Sequence, residues 1–286
     1  MAKIRESGGV PLNAYTAYTA GTASRRLEGL ADWVVHSAPP PLDANLQDGG
    51  AVDRLTRSWA TRLLRPARRR RVVYLSTTGV YGDRQGLPTD ETCAVWPLTA
   101  RARRRVDAER RLRDAGRRPG GLQVTTLRVP GIYAADRLPL KRLQKRLPAL
   151  LPQDDVQTNH IHADDLARLT RRALIRGLGQ RTINVIDDSA LAMGDYLDLV
   201  ARWAGLPVPP RVDRQTLLSM VSPMRATFMS ESRRLSNQRM KRELGLTLRY
   251  PTVADFLASH APPADGELPG QTSTPAVGAV HLPPPI

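Results

Sequence analysis

Short runs of apolar, often β-branched residues alternate along this chain with segments whose apolar residues recur at helical spacing. This alternation limits the possible folds more than any other feature. The extended runs lie at 31–36, 71–76, 123–129 and 181–186. Helical spacing predicts helices over 51–64, 99–115, 139–151, 163–176, 192–204 and 235–244. Strands that alternate with helices are typical of an α/β fold, with a doubly wound, mostly parallel sheet.

The residues that directly follow three of the predicted strands are small or turn-forming. They are Ser37-Ala38-Pro39, Ser76-Thr77-Thr78 and Pro130-Gly131-Ile132-Tyr133. Ligands of open parallel sheets bind at the carboxyl ends of the strands, so a flat ligand could lie close to the backbone there. The plainer interpretation, that turn residues simply end the strands, remains open at this point.

Arginine dominates the charge of the chain. Lys and Arg number 43 against 27 Asp and Glu, for a formal net charge of +16. The basic runs are Arg68–Arg71, Arg103–Arg105 and Arg117-Arg118. Such a surface attracts polyanions through phosphate contacts, but a charge run is more often a solvated face. No zinc-finger, RNA-recognition or KH signature accompanies the arginines, so we do not expect a nucleic-acid partner.

Several classes of protein are disfavoured by what the sequence lacks. Cys93 is the sole cysteine, which excludes an intrachain disulfide framework. No apolar run is long enough for a transmembrane helix, and the residues after Met1 do not form a signal-peptide core, so we expect a cytoplasmic protein. His36, His160 and His162 do not form a spaced set with carboxylates, so we predict no metal site. Residues 261–286 are rich in Pro and Gly and are predicted to be a disordered tail.

Three motifs, taken in order, resemble those of the extended short-chain dehydrogenase/reductase family, and specifically its NAD(P)-dependent epimerase/dehydratase group. Val73–Gly82 is similar to the strand of that family that ends in hydroxyl residues and continues to Val-Tyr-Gly. Leu127–Tyr133 is similar to its Leu-Arg-x-x-x-Ile-Tyr segment. His160–Ala167 is similar to its Ile-His-Val-Asp-Asp-Leu-Ala helix start. The resemblance extends from about residue 29 to about residue 257.

The resemblance implies a Rossmann-type nucleotide-binding domain over 1–130. A smaller substrate subdomain would lie mainly in 131–260, with the strand near 181–186 returning to the first sheet. It further implies an NAD or NADP cofactor, a small-molecule or nucleotide-linked substrate such as a sugar nucleotide, and a homodimer formed through the helices at 51–64 and 99–115. The residues implied to contact the cofactor are Ser37, Ala38, Pro39, Ser76, Pro130, Gly131 and Tyr133.

Other residues of these motifs carry implied roles toward the substrate. Thr77 matches the hydroxyl that contacts the reacting oxygen of the substrate, and it is the candidate catalytic residue. The candidate substrate-binding residues are Thr78, Tyr81, Arg101 and Arg105. Asp164 and Asp165 fall at a predicted helix start, where we expect them to cap the helix.

The sequence departs from the family in its phosphate-binding loop. Family members begin with a strand followed by G-x-x-G-x-x-G, whose glycines let the backbone approach a pyrophosphate. Gly8, Gly9, Gly21 and Gly29 do not have this spacing. We therefore expect the N-terminal Gly-rich βαβ unit to be missing from this chain.

A second departure concerns the proton relay of the family. Aligning on Glu109 places Arg101 and Arg105 where the family has Tyr and Lys, and arginine cannot exchange a proton near neutral pH. The two arginines could clamp a phosphate or carboxylate, or lie on a solvated helix face. Thr78-Gly79 replaces the Asp-Glu pair of dehydratases, which disfavours dehydration. The candidates to replace the family's tyrosine are Tyr81, Tyr133, Asp83 and Glu91.

Three functions remain open from the sequence. The first is an atypical NAD(P)-dependent oxidoreductase or epimerase. The second is a non-catalytic scaffold of the same fold that binds a nucleotide or a partner. The third, ranked last, is association with nucleic acid through the arginine-rich surface.

Overall fold

The computed structural model describes residues 31–39, 51–63, 70–220 and 231–262. The strands are β1 (Trp33–His36), β2 (Arg71–Thr77), β3 (Pro88–Thr89), β4 (Gln123–Val129), β5 (Gly131–Tyr133), β6 (Ala149–Leu150), β7 (Gln157–Thr158), β8 (His160–His162), β9 (Arg181–Asn184), β10 (Leu191–Ala192), β11 (Arg211–Val212) and β12 (Arg234–Leu235). The α-helices are α1 (Arg54–Leu63), α2 (Ala100–Arg117), α3 (Leu140–Gln144), α4 (Ala163–Arg176), α5 (Met193–Trp203), α6 (Arg214–Met220), α7 (Gln238–Leu244) and α8 (Val253–Ala258). Turns of 3-10 helix lie at Thr78–Tyr81, Ala135–Arg137 and Pro152–Asp154.

The main sheet has the strand order β1-β2-β4-β9, and all of its pairs are parallel. Successive side chains of β2 point to opposite faces, so Val73 packs toward α4 and α7 while Val72 and Tyr74 pack toward α2. Each face is thereby covered by helices, and the buried β-branched side chains explain why these segments form strands. The predicted α/β class with a doubly wound parallel sheet is confirmed.

Beyond the main sheet, short strand pairs join distant parts of the chain. They are β5 with β8, β6 with β11, β7 with β10 and β3 with β12. A second apolar core lies in this part of the molecule, where Tyr133, Tyr196 and Phe256 pack together with aliphatic residues of α3 and α5. The fourth predicted strand, β9, does return to the main sheet beside β4. The division into domains at residue 130 remains a prediction.

Two predicted elements differ from the observed ones. The helix expected over 139–151 is limited to α3, and the chain then enters β6. Arg146 adopts a left-handed backbone conformation and Pro148 cannot continue a helix, so helical spacing alone was misleading here. The first strand begins at Trp33, and Trp33 and Val35 are exposed rather than buried.

The expected capping role of Asp164 and Asp165 is wrong. The imidazole of His162 accepts the hydrogen bond from the backbone N–H of Asp164 and caps α4. The fully buried carboxylate of Asp165 instead accepts hydrogen bonds from the backbone N–H groups of Arg249 and Tyr250. Asp165 therefore fastens the start of α4 to the segment before α8.

Some sequence predictions fall outside the described residues. These are the loop over 43–50, the first two residues of the arginine run at 68–71, and nearly all of the proline-rich tail. Within the described ranges, no helix has the length and apolarity needed to cross a membrane. The same ranges contain no group of three His, Cys, Asp or Glu side chains arranged to hold a metal ion.

Candidate functional site

The carboxyl ends of β1, β2 and β4 lie side by side because the three strands are adjacent and parallel. Thr77, the last residue of β2, is paired in register with Val129, the last residue of β4. The segment 130–131 therefore leaves the sheet beside Thr77, and 37–39 leaves it on the other side of β2. The structure thus brings together the three strand-end segments that the sequence singles out.

Thr77 is half-buried at this edge, and its side chain caps the 3-10 turn that follows. Its hydroxyl oxygen accepts a hydrogen bond from the backbone N–H of Gly79 at 3.3 Å. The hydroxyl proton has no acceptor among the described residues, so it can be donated to a ligand oxygen. Thr78, by contrast, is buried within the turn. Of the two neighbouring threonines, Thr77 is the one able to contact a ligand with its hydroxyl.

Below this edge lies a buried ionic network that holds the strands against α2. Ser76 donates its hydroxyl proton to Glu109 at 2.6 Å, and Arg128 binds the same carboxylate through two nitrogens at 2.8 and 3.2 Å. The side chains of Arg128 and Glu109 are 5% and 3% exposed. Burial lowers the pKa of Arg128, but the charge of Glu109 reverses this and raises it above the ordinary value. The hydroxyl of Ser76 thus faces Glu109, and any contact with a cofactor would be made by its backbone.

Tyr81 belongs to the same network. Its ring lies over the guanidinium of Arg128 at 4.7 Å, and its hydroxyl donates to the side-chain oxygen of Asn184 at 2.7 Å. Burial raises the pKa of Tyr81. Because Tyr81 is fully buried and its hydroxyl is engaged, the arrangement favours a structural role over the predicted contact with substrate.

The two carboxylates considered as alternative bases are also engaged. Glu91 accepts a hydrogen bond from the backbone N–H of Asn184 and lies 3.6 Å from Arg239. Asp83 accepts backbone hydrogen bonds from Gln85 and Ser232. Both carboxylates thus stabilise loops through their hydrogen bonds. Because their oxygens are already engaged, neither is favoured as a general base.

Arg101 and Arg105 occupy different environments although they are one helical turn apart on α2. Arg105 is 6% exposed and donates through Nη1 to the carbonyl of Ala38, the hydroxyl of Tyr74 and the carbonyl of Leu75. Arg101 is exposed at the start of the helix. The alternative of a solvated helix face therefore fails for Arg105, whose guanidinium lies beneath the strand ends, and stays open for Arg101.

Past β4, the exposed Gly131 begins β5, and Tyr133 ends it in a fully buried position. A methyl group added at Gly131 would meet only ordinary contacts, the nearest being with the carbonyl oxygen of Asn159 at 3.5 Å. Burial, followed by the nearby charge of Asp187, raises the pKa of Tyr133. Burial also raises the pKa of Asp187 to about 7 and lowers that of His160 to about 4. The hydroxyl of Tyr133 is thus interior, and its predicted cofactor contact is not favoured by its burial.

The strand-end residues fit the flat end of a nicotinamide dinucleotide. Ser37, Pro39 and Gly131 are exposed, Ala38 and Pro130 are half-buried, and none carries a bulky side chain that would prevent a ring from approaching the backbone. A Gly-rich pyrophosphate loop is not part of the described ranges. The fit therefore concerns the nicotinamide end of the cofactor.

Sequence reasoning missed the partners that matter most at this site, which are Arg128 and Asn184 paired with Glu109 and Tyr81. The sequence did contain a signal for the pairing of Arg128 with Glu109, because Arg128 lies within a strand between the apolar residues Leu127 and Val129. A buried arginine requires a carboxylate partner, and acidic residues are few on the predicted helix over 99–115. The contact of Asn184 with Tyr81 spans 103 residues and had no such signal.

The family model of the NAD dependent epimerase/dehydratase family matches residues 28–185 of this chain, and the chain belongs to that family. Dependence on NAD(P) is a property of the family, and this confirms the expected cofactor class at the family level. No curated protein sequence matches the chain.

The chain is similar to several solved structures. A functionally unknown conserved protein from Silicibacter pomeroyi DSS is 31% identical, with a TM-score of 0.65 over 79% of this chain and 75% of the other. The UDP-glucuronic acid 4-epimerase from Bacillus cereus, in complex with NAD, is 14% identical, with a TM-score of 0.64 over 87% and 77%. The human epimerase family protein SDR39U1 (isoform 2), with NADPH, is 14% identical, with a TM-score of 0.64 over 82% and 84%. The two more distant similarities support the Rossmann-type fold.

Proposed function

We propose that the protein is an NAD(P)-dependent oxidoreductase or epimerase acting on a sugar-like or nucleotide-linked substrate. The position of Thr77 carries the proposal. Its hydroxyl lies at the carboxyl end of β2 and accepts a hydrogen bond from Gly79, and its proton has no acceptor among the described residues. A hydroxyl held in this way stabilises negative charge that develops on a substrate oxygen. Two similar structures support this choice: a UDP-glucuronic acid 4-epimerase in complex with NAD, and a human epimerase family protein with NADPH.

The residues that would hold the cofactor are those at the three strand ends, with 37–39 on one side of Thr77 and Pro130 and Gly131 on the other. When bound, the nicotinamide supplies the hydride acceptor or donor for the carbon that carries the reacting oxygen. The chain's own contribution is to orient that oxygen at Thr77. The ionic network of Ser76, Glu109 and Arg128 holds β2 and β4 in place beneath it.

The test begins with calorimetric titration of the folded chain with NADH and NADPH. Binding is expected, followed by turnover on a panel of UDP-sugars. Net oxidation or reduction is detected by a change in cofactor absorbance, and epimerisation, which regenerates the cofactor, by chromatographic separation of the epimeric sugar nucleotides. Thr77→Val should lower kcat about 100-fold because it removes one donor to the developing charge. Thr77→Ser keeps the hydroxyl and is the matched control, expected to retain most activity. A folded chain that binds neither cofactor contradicts the proposal.

A non-catalytic scaffold of the same fold is the second candidate, and one observation favours it. The two residues in place of the family's tyrosine and lysine are arginines, and Arg105 is used to bind three groups of the protein itself. Under this alternative, a nucleotide binds without chemistry. Cofactor binding with no turnover on any tested sugar nucleotide, and no effect of Thr77→Val on that binding, would support the scaffold over the enzyme.

A further inference from the structure

Two positive charges approach each other at the start of α2, and no carboxylate of the described residues forms an ion pair with either of them. Arg101 and Arg105 are four residues apart, so their side chains leave the same face of the helix. Partial removal from water lowers the pKa of Arg101, and the charge of Arg105 lowers it further. The two guanidinium groups are therefore close enough to repel each other.

Neither arginine forms an ion pair within the described part of the chain. All three hydrogen bonds of Arg105 are made through Nη1 to uncharged oxygens, and its buried Nε has no acceptor. Arg101 makes no hydrogen bond to the described protein. A buried cation without a counter-charge is costly, and an unfilled donor adds to the cost.

The carboxylates in the neighbourhood are already in use. Glu109, one turn beyond Arg105 on the same helix face, is bound by Arg128 and Ser76. Asp53 is also nearby, because its charge and that of Arg105 both affect the pKa of Tyr74. Asp53 accepts two hydrogen bonds from Thr56. Neither of these groups neutralises the arginine pair.

The position of the pair links it to the proposed site. Arg105 binds the carbonyls of Ala38 and Leu75, so its guanidinium lies at the carboxyl ends of β1 and β2. Thr77 is two residues beyond Leu75. An anion held by the pair would therefore lie next to the strand ends at which the substrate is proposed to react.

We propose that Arg101 and Arg105 form an oxyanion-binding site, and that the substrate carries a carboxylate or phosphate group that occupies it. Guanidinium groups bind both kinds of oxyanion through paired N–H donors, and the Nε of Arg105 supplies one donor that is still unfilled. The inference deepens the proposed function and rests on it for the identity of the substrate. The site selects an acidic substrate over a neutral one of the same size.

The experiment measures the affinity of the full chain for three probes: UDP-glucose, UDP-glucuronic acid and inorganic phosphate. The two sugar nucleotides differ by a single carboxylate. Arg101→Gln is the main variant because the side chain is exposed and its loss should not disturb folding. Arg110→Gln is the matched control. It removes the same charge from an exposed position nine residues further along α2, on the opposite face of the helix.

UDP-glucuronic acid is expected to bind about tenfold more tightly than UDP-glucose, and Arg101→Gln should abolish this preference while Arg110→Gln retains it. That result identifies a carboxylate of the sugar as the anion. If Arg101→Gln instead weakens both sugar nucleotides and inorganic phosphate equally, the anion is a phosphate and the site still stands. If Arg101→Gln changes no affinity more than Arg110→Gln does, the inference is overturned.

Arg105→Gln tests the buried partner but also removes contacts with β1 and β2. Arg105→Lys keeps the charge and loses the planar fork, so a folded Arg105→Lys protein should bind the preferred probe about tenfold more weakly. Titration with NADH in parallel separates the two proposals. Anion binding that depends on Arg101 without any NADH binding refutes the oxidoreductase and leaves the anion site intact. NADH binding without an Arg101-dependent effect on anion binding refutes the anion site and leaves the proposed oxidoreductase intact.

Discussion

Replacing Glu109 with Gln should destabilise the protein more than any exposed substitution on the same helix. Arg128 is 5% exposed, and both of the nitrogens that it directs at Glu109 would lose a charged acceptor. Removing one partner of a buried ion pair costs about 3–5 kcal/mol, because the remaining charge stays buried and unpaired. For a chain of this size, this corresponds to a fall in Tm of roughly 10 °C.

The free energy of unfolding is measured by urea denaturation with circular dichroism. Asp114→Asn is the control, since Asp114 pairs with Arg117 on the same helix at 3.7 Å with both side chains about 70% exposed. We expect it to change stability by less than about 0.5 kcal/mol. The double variant Glu109→Met, Arg128→Met removes both charges and should recover part of the loss. A Glu109→Gln protein as stable as Asp114→Asn would refute the reasoning.

Two further predictions concern other buried carboxylates. Asp165→Ala should cost about 3 kcal/mol because it removes the buried carboxylate that accepts from the N–H groups of Arg249 and Tyr250 and pairs with Arg168, whereas Asp164→Ala, at an exposed neighbour, should cost little. Equal losses in chemical denaturation would show that the fastening by Asp165 is not what stabilises this segment. Asp187 has a folded-state pKa of about 7 against about 3.9 unfolded, so the folded protein binds the proton more tightly. Its contribution to stability is therefore present at low pH and is lost as the pH rises from about 4 to about 7. Asp187→Asn cannot ionise, so its stability relative to the wild type should rise across that interval, by about 4 kcal/mol at most. A stability difference between Asp187→Asn and the wild type that does not change with pH would contradict this prediction.

The sheet and its flanking helices could be predicted because their signals are local. The predicted bounds of strand β4 (Gln123–Val129) and helix α4 (Ala163–Arg176) equal the observed ones. The apolar runs and the helix-ending residues that signal them lie within or next to the elements themselves. The prediction that Trp33 is buried was wrong. In the described ranges β1 has no neighbouring strand on its outer side, and Trp33 therefore remains exposed. Whether the outer side of a strand is covered depends on segments far away in the chain, and the local sequence pattern carries no information about them.

The candidate site was predictable in position but not in detail. Strand order brings the residues after β1, β2 and β4 together whatever their side chains are. The partners of those side chains depend on contacts across the fold. Arg105 could be assigned to a solvated face or to a ligand, and only its contacts with Ala38, Tyr74 and Leu75 show that it is buried beneath the strand ends. Asp165 was expected to act on its own helix and instead binds a segment more than 80 residues away.

The pairing of β12 with β3 has a consequence for synthesis of the protein. Arg233, next to β12, donates to the carbonyl of Gly82, which lies 151 residues earlier in the chain. At the usual rate of translation, the loop after Tyr81 waits on the order of ten seconds or more for these contacts to be made. Until then, the loop that carries β3 lacks its strand partner. This loop, which begins just beyond the strand end at Thr77, therefore takes its final position only after β12 has been synthesised.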